Sequence, residues 1–571
     1  MLFIAHITLC FRICEDDAFF LDLSWNLLTR GAYVNDTYGS LLGHDRMVAS
    51  IPPVFPAMQT GAVLLYLKTN ALIALKAETL APVALGLPLL WWRLRSELPP
   101  VAVWMCFGVV ASDGLLFNTV LSNRYEVWCM FICLALLVAL EQAIAKPGLG
   151  RFCIFVATVA IASLSNWQLQ PVVAAVLAGA MIYPGEDRKP NCRTRLLLVA
   201  AAAAAAVTGW ILFASLPDWQ SSFQRQLLGI ADYYDQRTIP VNFVAAVWQR
   251  IKICAGNLVV GNTMRSCGSM VFLVLGGVIS CYWWRERRSP AWSSPHTRRM
   301  LFYSLWWIAA MAPLVVLAYV GPRLVPVFLV SVVLLAGCGT MKILPKEHWV
   351  RIIGLAAVAN YLGTCYLNYR DHSGDSRLIW VNYGLPVLLS YAAILFLKRS
   401  LSERALLTWL AILVVAGNIL ANVSYDSYKF SRGLSQAERD REAAVAGLNR
   451  LIEVRSPLAL AGPIVIYGDA PYHYLIARAL GAKWGREVRF RTFFQFFYYT
   501  HPSFGRAFVD TFDGAIVLLD AENRARLERF GPSGERMLAL LADDYREVGR
   551  FTTSLGETAV LIRKSAPADS L

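Results

Sequence analysis

Three consecutive carboxylates, Glu15-Asp16-Asp17, stand where the first apolar run of the chain gives out. Charge at a hydrocarbon boundary is costly and is kept where it serves a purpose. Carboxylates there can take a proton as a general base or offer hard oxygen to a cation. Ala18 to Gly31 follows with Phe20, Leu23, Leu27 and Leu28 in an apolar stripe at helical spacing, and Asp22, Asn26 and Arg30 off it. Gly31 supplies a stop, so an amphipathic helix lying on the membrane is expected. Acids in a first turn also favour the helix dipole. One carboxylate suffices for a cap, and three exceed that need. The layout points to an enzyme working at the membrane surface on a lipid-linked substrate.

Two further clusters could join that chemistry. Arg124-Tyr125-Glu126 occupies a loop of a few residues between apolar runs, where the bland reading is a solvated ion pair. The loop from Pro217 to Arg265 carries Arg225, Asp232-Tyr233-Tyr234-Asp235, Arg237, Arg250 and Lys252. Arginine forks and a lysine point charge suit a lipid phosphate, against a plainly solvated loop. Arg323, in Gly321-Pro322-Arg323, opens another span near phosphate depth, with snorkelling as its bland alternative.

The elements that must position these residues are mostly apolar. The chain has 571 residues, 57% of them hydrophobic, a mean hydropathy of +0.48 and net charge +14. This is a polytopic α-helical membrane protein rather than one soluble domain. Apolar segments recur near 73–92, 101–121, 127–145, 152–165, 168–183, 196–215, 268–284, 300–318, 322–341, 350–368, 378–397 and 404–423. With the first run that makes about 13 spans. Basic residues crowd every second loop, which fixes those loops as cytoplasmic. Glu15–Asp17, the loops at 122–126 and 216–267, Arg323 and the C-terminal region then lie outside. The positive excess is this topology signal, so no nucleic-acid partner is expected. Most of the 12 cysteines lie inside apolar runs as small hydrophobes, while Cys254 and Cys267 could meet in one loop. Met1 leads into an apolar run with no cleavage site, so no cleavable signal peptide is expected. That run, Met1 to Ile13, reaches roughly 20 Å against a core of about 30 Å, and a start upstream is expected. Pro52-Pro53 opens Val54–Leu67, read as a helix at the outer rim within a loop from 15 to about 72.

Composition divides the chain into a membrane module, 1–430, and an extracytoplasmic α/β domain, 431–571. Ser435-Gln-Ala-Glu438 reads as a capping box opening a helix through Val454. Pro463–Tyr467 and Ala515–Leu519 read as buried strands, Tyr472–Leu480 as a helix stopped at Gly481, and Glu547–Thr552 with Thr558–Ile562 as a hairpin around Gly556. No Gly-x-Gly-x-x-Gly loop is present, which excludes a nucleotide donor site of that kind. Arg489 to His501 is dense in aromatics, read as a buried strand packed on the membrane rim more readily than as a sugar-stacking surface.

At these residues the chain resembles the GT-C glycosyltransferases, integral membrane enzymes using polyprenyl-phosphate-linked sugars. The branch of closest shape contains the protein O-mannosyltransferases and the lipid A aminoarabinose transferase. The family's acidic pair and surface helix stand here as Asp16-Asp17-Ala18-Phe19-Phe20-Leu21 and Asn26-Leu27-Leu28-Thr29-Arg30-Gly31. Pro52-Pro53 matches its proline pair, Arg124-Tyr125-Glu126 its next outer loop, and Arg323-Leu324-Val325-Pro326 part of a late Arg-Tyr-x-x-Pro motif. Asp17 replaces the usual Glu and Leu324 the Tyr. The resemblance implies a GT-C-like multi-pass protein of a bacterial inner (plasma) membrane. It would transfer a sugar from a polyprenyl-phosphate donor to an acceptor hydroxyl on a glycolipid, polysaccharide or protein, with inversion. The base falls on Asp16, with Asp17 and Glu15 as alternates. Arg124, Arg323, Arg250 and Lys252 are the phosphate candidates. Asp16 and Glu126 are the candidate ligands of a divalent cation, Mg or Mn, which some relatives do without. The rival readings are a transporter or flippase, which would show inverted repeats and mid-span charges, and a lipid-carrier-binding protein without turnover.

Overall fold

The computed structural model describes residues 1–13, 15–37, 53–123, 125–166, 169–182, 192–214, 267–286, 294–316, 433–455, 463–493, 496–497, 502–554 and 556–564, with isolated positions between 334 and 423. Helices among them are α1 Leu2–Leu9, α2 Glu15–Arg30, α3 Val54–Thr69, α4 Ala77–Arg95, α5 Pro100–Ala111, α6 Gly114–Leu121, α7 Glu126–Ala145, α8 Leu149–Ser163, α9 Gln170–Ile182, α10 Cys192–Ala214, α11 Cys267–Glu286 and α12 Pro295–Val316. A 3-10 turn, Leu72–Lys76, leads directly into α4. Leu72–Arg95 and Glu126–Ala145 are long and apolar enough to cross a membrane. The last four apolar segments of the sequence, 322–341 to 404–423, lie outside the described residues save isolated helical positions.

The bundle is organised around α7, apolar on all sides and buried nearly throughout, as a helix surrounded by others must be. It packs against α4, α8 and α9. At the α4 crossing Gly86 is required, because a Cβ would overlap the Phe131 ring. One end of the bundle is closed by a buried ion cluster. Arg93 Nη2 donates to Glu97 Oε1 and Glu141 Oε1, each at 2.6 Å, and to the Tyr303 hydroxyl at 2.5 Å, while Arg299 adds a 3.1 Å contact to Glu97. Arg93 therefore ties α4, α7 and α12 together.

The single span expected over 101–121 is interrupted. Asp113 Oδ1 accepts the Leu116 N–H at 3.3 Å and Ser112 Oγ donates to Gly108 O, so α5 ends and α6 starts at this pair. A short polar pair that satisfies helix-end groups makes such a break tolerable in a buried setting.

Residues 433–564 build an α/β unit from α13 Leu434–Arg455, β1 Ile464–Gly468, α14 Ala470–Trp484, β2 Val488–Thr492, α15 Pro502–Asp510, β3 Ile516–Asp520, α16 Ala521–Arg529, α17 Gly531–Asp544, β4 Tyr545–Thr553 and β5 Gly556–Arg563. The sheet order is β2-β1-β3-β5-β4, with β1 parallel to β2 and β3, and β5 antiparallel to β3 and β4. Both strands and the hairpin expected here form. The aromatic run supplies the buried strand that was expected, but its described rings pack within the α/β unit: Phe490 and Phe493 are buried, Phe496 with them, and Phe493, Phe496, Phe508 and Phe512 gather with Tyr467 on one sheet face. Phe494, Tyr498 and Tyr499 lie outside the described residues.

Two helix boundaries differ from expectation. α13 begins at Leu434, so Ser435 is inside the helix and no capping box forms. Glu438 instead accepts the Leu72 N–H through Oε1 at 3.3 Å, turning a presumed local cap into a joint between the α/β unit and the helices. α14 runs past Gly481 and stops at Gly485, whose φ of +61° suits a left-handed C-cap. Gly481 lies within the helix where it meets β2, a Cβ there coming 3.1 Å from the Val488 side chain.

Candidate functional site

The acidic triplet forms the first turn of α2, and Gly31 ends that helix at φ +63°, as its sequence predicts. Glu15 and Asp16 are placed in the helix, and their side chains lie outside the described residues. Asp17 is wholly buried, and its Oδ1 accepts the Asn123 N–H at 3.0 Å. The start of α2 is therefore locked to the loop before α7, the loop that carries Glu126.

The joint is wider than one bond. Arg12 Nη2 donates to Ser122 Oγ at 3.0 Å. Phe20, Phe55 and Tyr125 form an edge-to-face trio with centroids 5.3 to 6.2 Å apart. Such rings bury area and fix orientation together. Val54 N–H donates to Leu164 O at 3.2 Å, and Trp128 Nε1 to Ser165 Oγ at 2.8 Å, which brings the 164–165 turn to the same end. Loops that charge alternation assigned to one face are in contact. Glu126 is fully buried as the first residue of α7, where free helix N–H groups favour a carboxylate.

Beneath this lies a buried polar network that the sequence reading passed over. Asn123 Nδ2 donates to Leu75 O and to Glu78 Oε1, while Lys76 Nζ donates to Asn123 Oδ1 and Leu121 O. Gln59 Nε2 donates to Glu78 Oε1 at 3.2 Å, and Ser24 Oγ to Gln59 Oε1 at 2.8 Å. Lys76 also stands 5.4 Å from the Phe11 ring centroid. The network joins α2, α3, the 3-10 turn and the 122–126 loop, so it fixes where the acidic turn sits. Its signal in the sequence was Lys76-Ala77-Glu78, two charges opening an apolar run.

The opposite side of α2 is gripped by the α/β unit. Asp22, which lies off the apolar stripe of α2, is fully buried and paired with Arg478 of α14. Its Oδ2 accepts the N–H groups of Asp36 at 2.6 Å and Thr37 at 3.2 Å. Burial raises the Asp22 carboxyl above its ordinary range, and the Arg478 charge opposes that shift. Arg30 adds ion pairs of 2.6 Å to Asp36 and to Glu487. The polar face of α2 is thus an interface rather than a wet surface, because the C-terminal unit closes over it.

Arg124, Arg250, Lys252 and Arg323 lie outside the described residues, as do Pro52, Cys254 and the rest of the 217–265 loop. Among the described residues no three His, Cys, Asp or Glu side chains converge on one point.

The chain superposes on ArnT from Cupriavidus metallidurans bound to undecaprenyl phosphate with TM-score 0.55 at 12% identity, covering 99% of this chain and 96% of that one. The apo state of the same protein matches with TM-score 0.54 at 12% identity, over 98% and 95%. ArnT is the lipid A aminoarabinose transferase, a GT-C protein. At this identity the likeness establishes the fold. No protein-family model matches the sequence, and no curated protein does. A membrane location fits both the fold and the two long apolar helices.

Proposed function

We propose that this protein is a membrane glycosyltransferase of the GT-C kind, moving a sugar from a polyprenyl-phosphate donor to an acceptor hydroxyl at the extracytoplasmic face. The observation that carries the reading is the junction of Asp17 with Asn123. It seats the acidic turn of α2 against the loop of Glu126, at the end of an apolar bundle with the ArnT fold. The undecaprenyl phosphate in the ArnT crystal structure is the donor chemistry that this reading carries over.

In the proposed step the acceptor oxygen attacks the anomeric carbon. The bond from that carbon to the phosphate oxygen breaks, and polyprenyl phosphate leaves with the electron pair. The acceptor proton passes to Asp16. A phosphate leaves as a stable anion, so no general acid is needed. Asp16 is favoured over Asp17 because Asp17 is wholly buried and already holds Asn123; Glu15 is the alternate. Arg124, Arg323, Arg250 and Lys252 hold the departing phosphate. Asp16 and the buried Glu126 supply hard oxygen suited to Mg or Mn. Such a cation would stabilise charge on the phosphate. Chelation that leaves turnover unchanged removes it from the scheme.

The test is to give the full chain, reconstituted in lipid, a radiolabelled polyprenyl-phosphate sugar and membrane extract. Release of free polyprenyl phosphate together with transfer of label supports the enzyme reading. Saturable binding of donor without turnover favours a carrier-binding protein, and neither binding nor turnover, across several sugars, favours transport.

A further inference from the structure

Further along α2 from Asp17, a cavity of about 380 Å³ lies in the seam between α2, α3 and the α/β unit. That volume is at the small end of ligand pockets. Trp25 of α2 and Tyr66 of α3 form one wall, and α13 and α14 contribute Arg441 and Arg478 from the other. Both guanidiniums are more than nine-tenths buried. Arg441 donates to the Tyr66 hydroxyl at 2.7 Å and to Asn70 O at 3.2 Å, which fixes its plane at the wall. Arg478 is held by Asp22 and Val488 O, yet its Nε, also buried, has no hydrogen-bond partner among the described residues. Lys483 stands exposed at the rim, with Glu442 as the acidic lining residue. Asp22 neutralises Arg478, so Arg441 and Lys483 against the exposed Glu442 leave the cavity with a single positive excess.

The apolar surroundings are equally specific. Leu67 lines the cavity and is 43% exposed, and Leu64 and Leu65 on the same helix are 42% and 45% exposed. Exposed leucines on a helix beside buried arginines suit a ligand with an anionic head and hydrocarbon tails.

We propose that this cavity binds the phosphoryl group of a lipid headgroup at the membrane surface. Arginine forks match phosphate geometry, and burial strengthens the contact. The site is separate from the acidic turn: Trp25 lies eight residues along α2 from Asp17, about 12 Å at 1.5 Å per residue. The assignment rests on no step of the transfer reaction.

The full chain in neutral detergent is titrated by calorimetry with short-chain phosphatidylglycerol and, separately, with inorganic phosphate at fixed ionic strength. Native protein is compared with Ala446→Trp, which fills the cavity from an exposed position, and with Lys483→Glu, which reverses the rim charge. A saturable site weakened at least tenfold by each substitution, with donor turnover as in the native chain, is the expected result. If inorganic phosphate is lost from the same variants, the anion alone is recognised. If only the lipid is, the headgroup is recognised together with its chains; either upholds the phosphoryl site. Affinities unchanged in both variants, or no saturable binding of either probe, overturn the assignment.

Discussion

Asp17 Oδ1 receives the backbone N–H of Asn123 across 106 positions of sequence, at 3.0 Å and with both residues fully buried. The acidic turn is thereby part of the bundle and not a free surface feature. Asn123 is the hub: its backbone holds Asp17, and its side chain meets Lys76, Glu78 and Leu75 O.

Lys76→Met tests that hub. The substitution keeps the aliphatic stem but leaves Leu121 O and Asn123 Oδ1 without their donor inside the protein. A buried acceptor left unsatisfied costs about 1–3 kcal/mol, so a loss of about 2–4 kcal/mol is expected. It would be read as a lowered thermal midpoint in detergent, with transfer falling because the acidic turn loses its seat. A midpoint equal to the native one would show that the network carries no stability.

The grip of the α/β unit on α2 predicts strong coupling between Asp22 and Arg478. Either Asp22→Asn or Arg478→Gln alone should cost about 3 kcal/mol or more, since each strands a buried charge. The double substitution should cost less than the sum, with a coupling of about 2 kcal/mol from a double-mutant cycle. Additive losses would mean that the pair contributes nothing as a pair.

Much of this arrangement was legible in the sequence, and the rest was not, for identifiable reasons. The stop at Gly31 and the shared face of residues 15–17 and 122–126 follow from glycine chemistry and loop charge, both local signals. The buried strand at the start of the aromatic run was legible too, whereas its rings pack inside the α/β unit rather than on the rim that was expected. Lys76 and Glu78 drew no reading, because only tertiary packing brings Asn123 to them. The burial of Asp22 was not legible, because the sequence does not say which surface α14 covers. Gly481 resembled a helix stop, but its small size serves the approach of β2 while Gly485 adopts the left-handed cap.

His473 gives the chain a pH dependence of known sign. Its Nδ1 accepts the Asp469 N–H at 2.9 Å, so the neutral ring carries its proton on Nε2, 3.4 Å from Thr558 Oγ1. Burial lowers its pKa from 6.5 to about 4, with the Asp520 charge opposing. Between these values the unfolded chain binds the proton and the folded one does not. Stability is therefore complete above pH 6.5 and declines as pH falls towards 4, by roughly 3 kcal/mol. His473→Gln should flatten that slope in thermal midpoints taken from pH 7 to 4. An unchanged slope would place the dependence on other groups.

The central claim is that the turn at the start of α2 supplies the base. The most direct test compares native chain with Asp16→Asn, in membranes supplied with a radiolabelled polyprenyl-phosphate sugar. Loss of a positioned general base costs typically about 10²- to 10⁴-fold in turnover. A fall of that size, with donor still bound and the thermal midpoint unchanged, is the predicted result. Turnover by Asp16→Asn at the native rate would contradict the account.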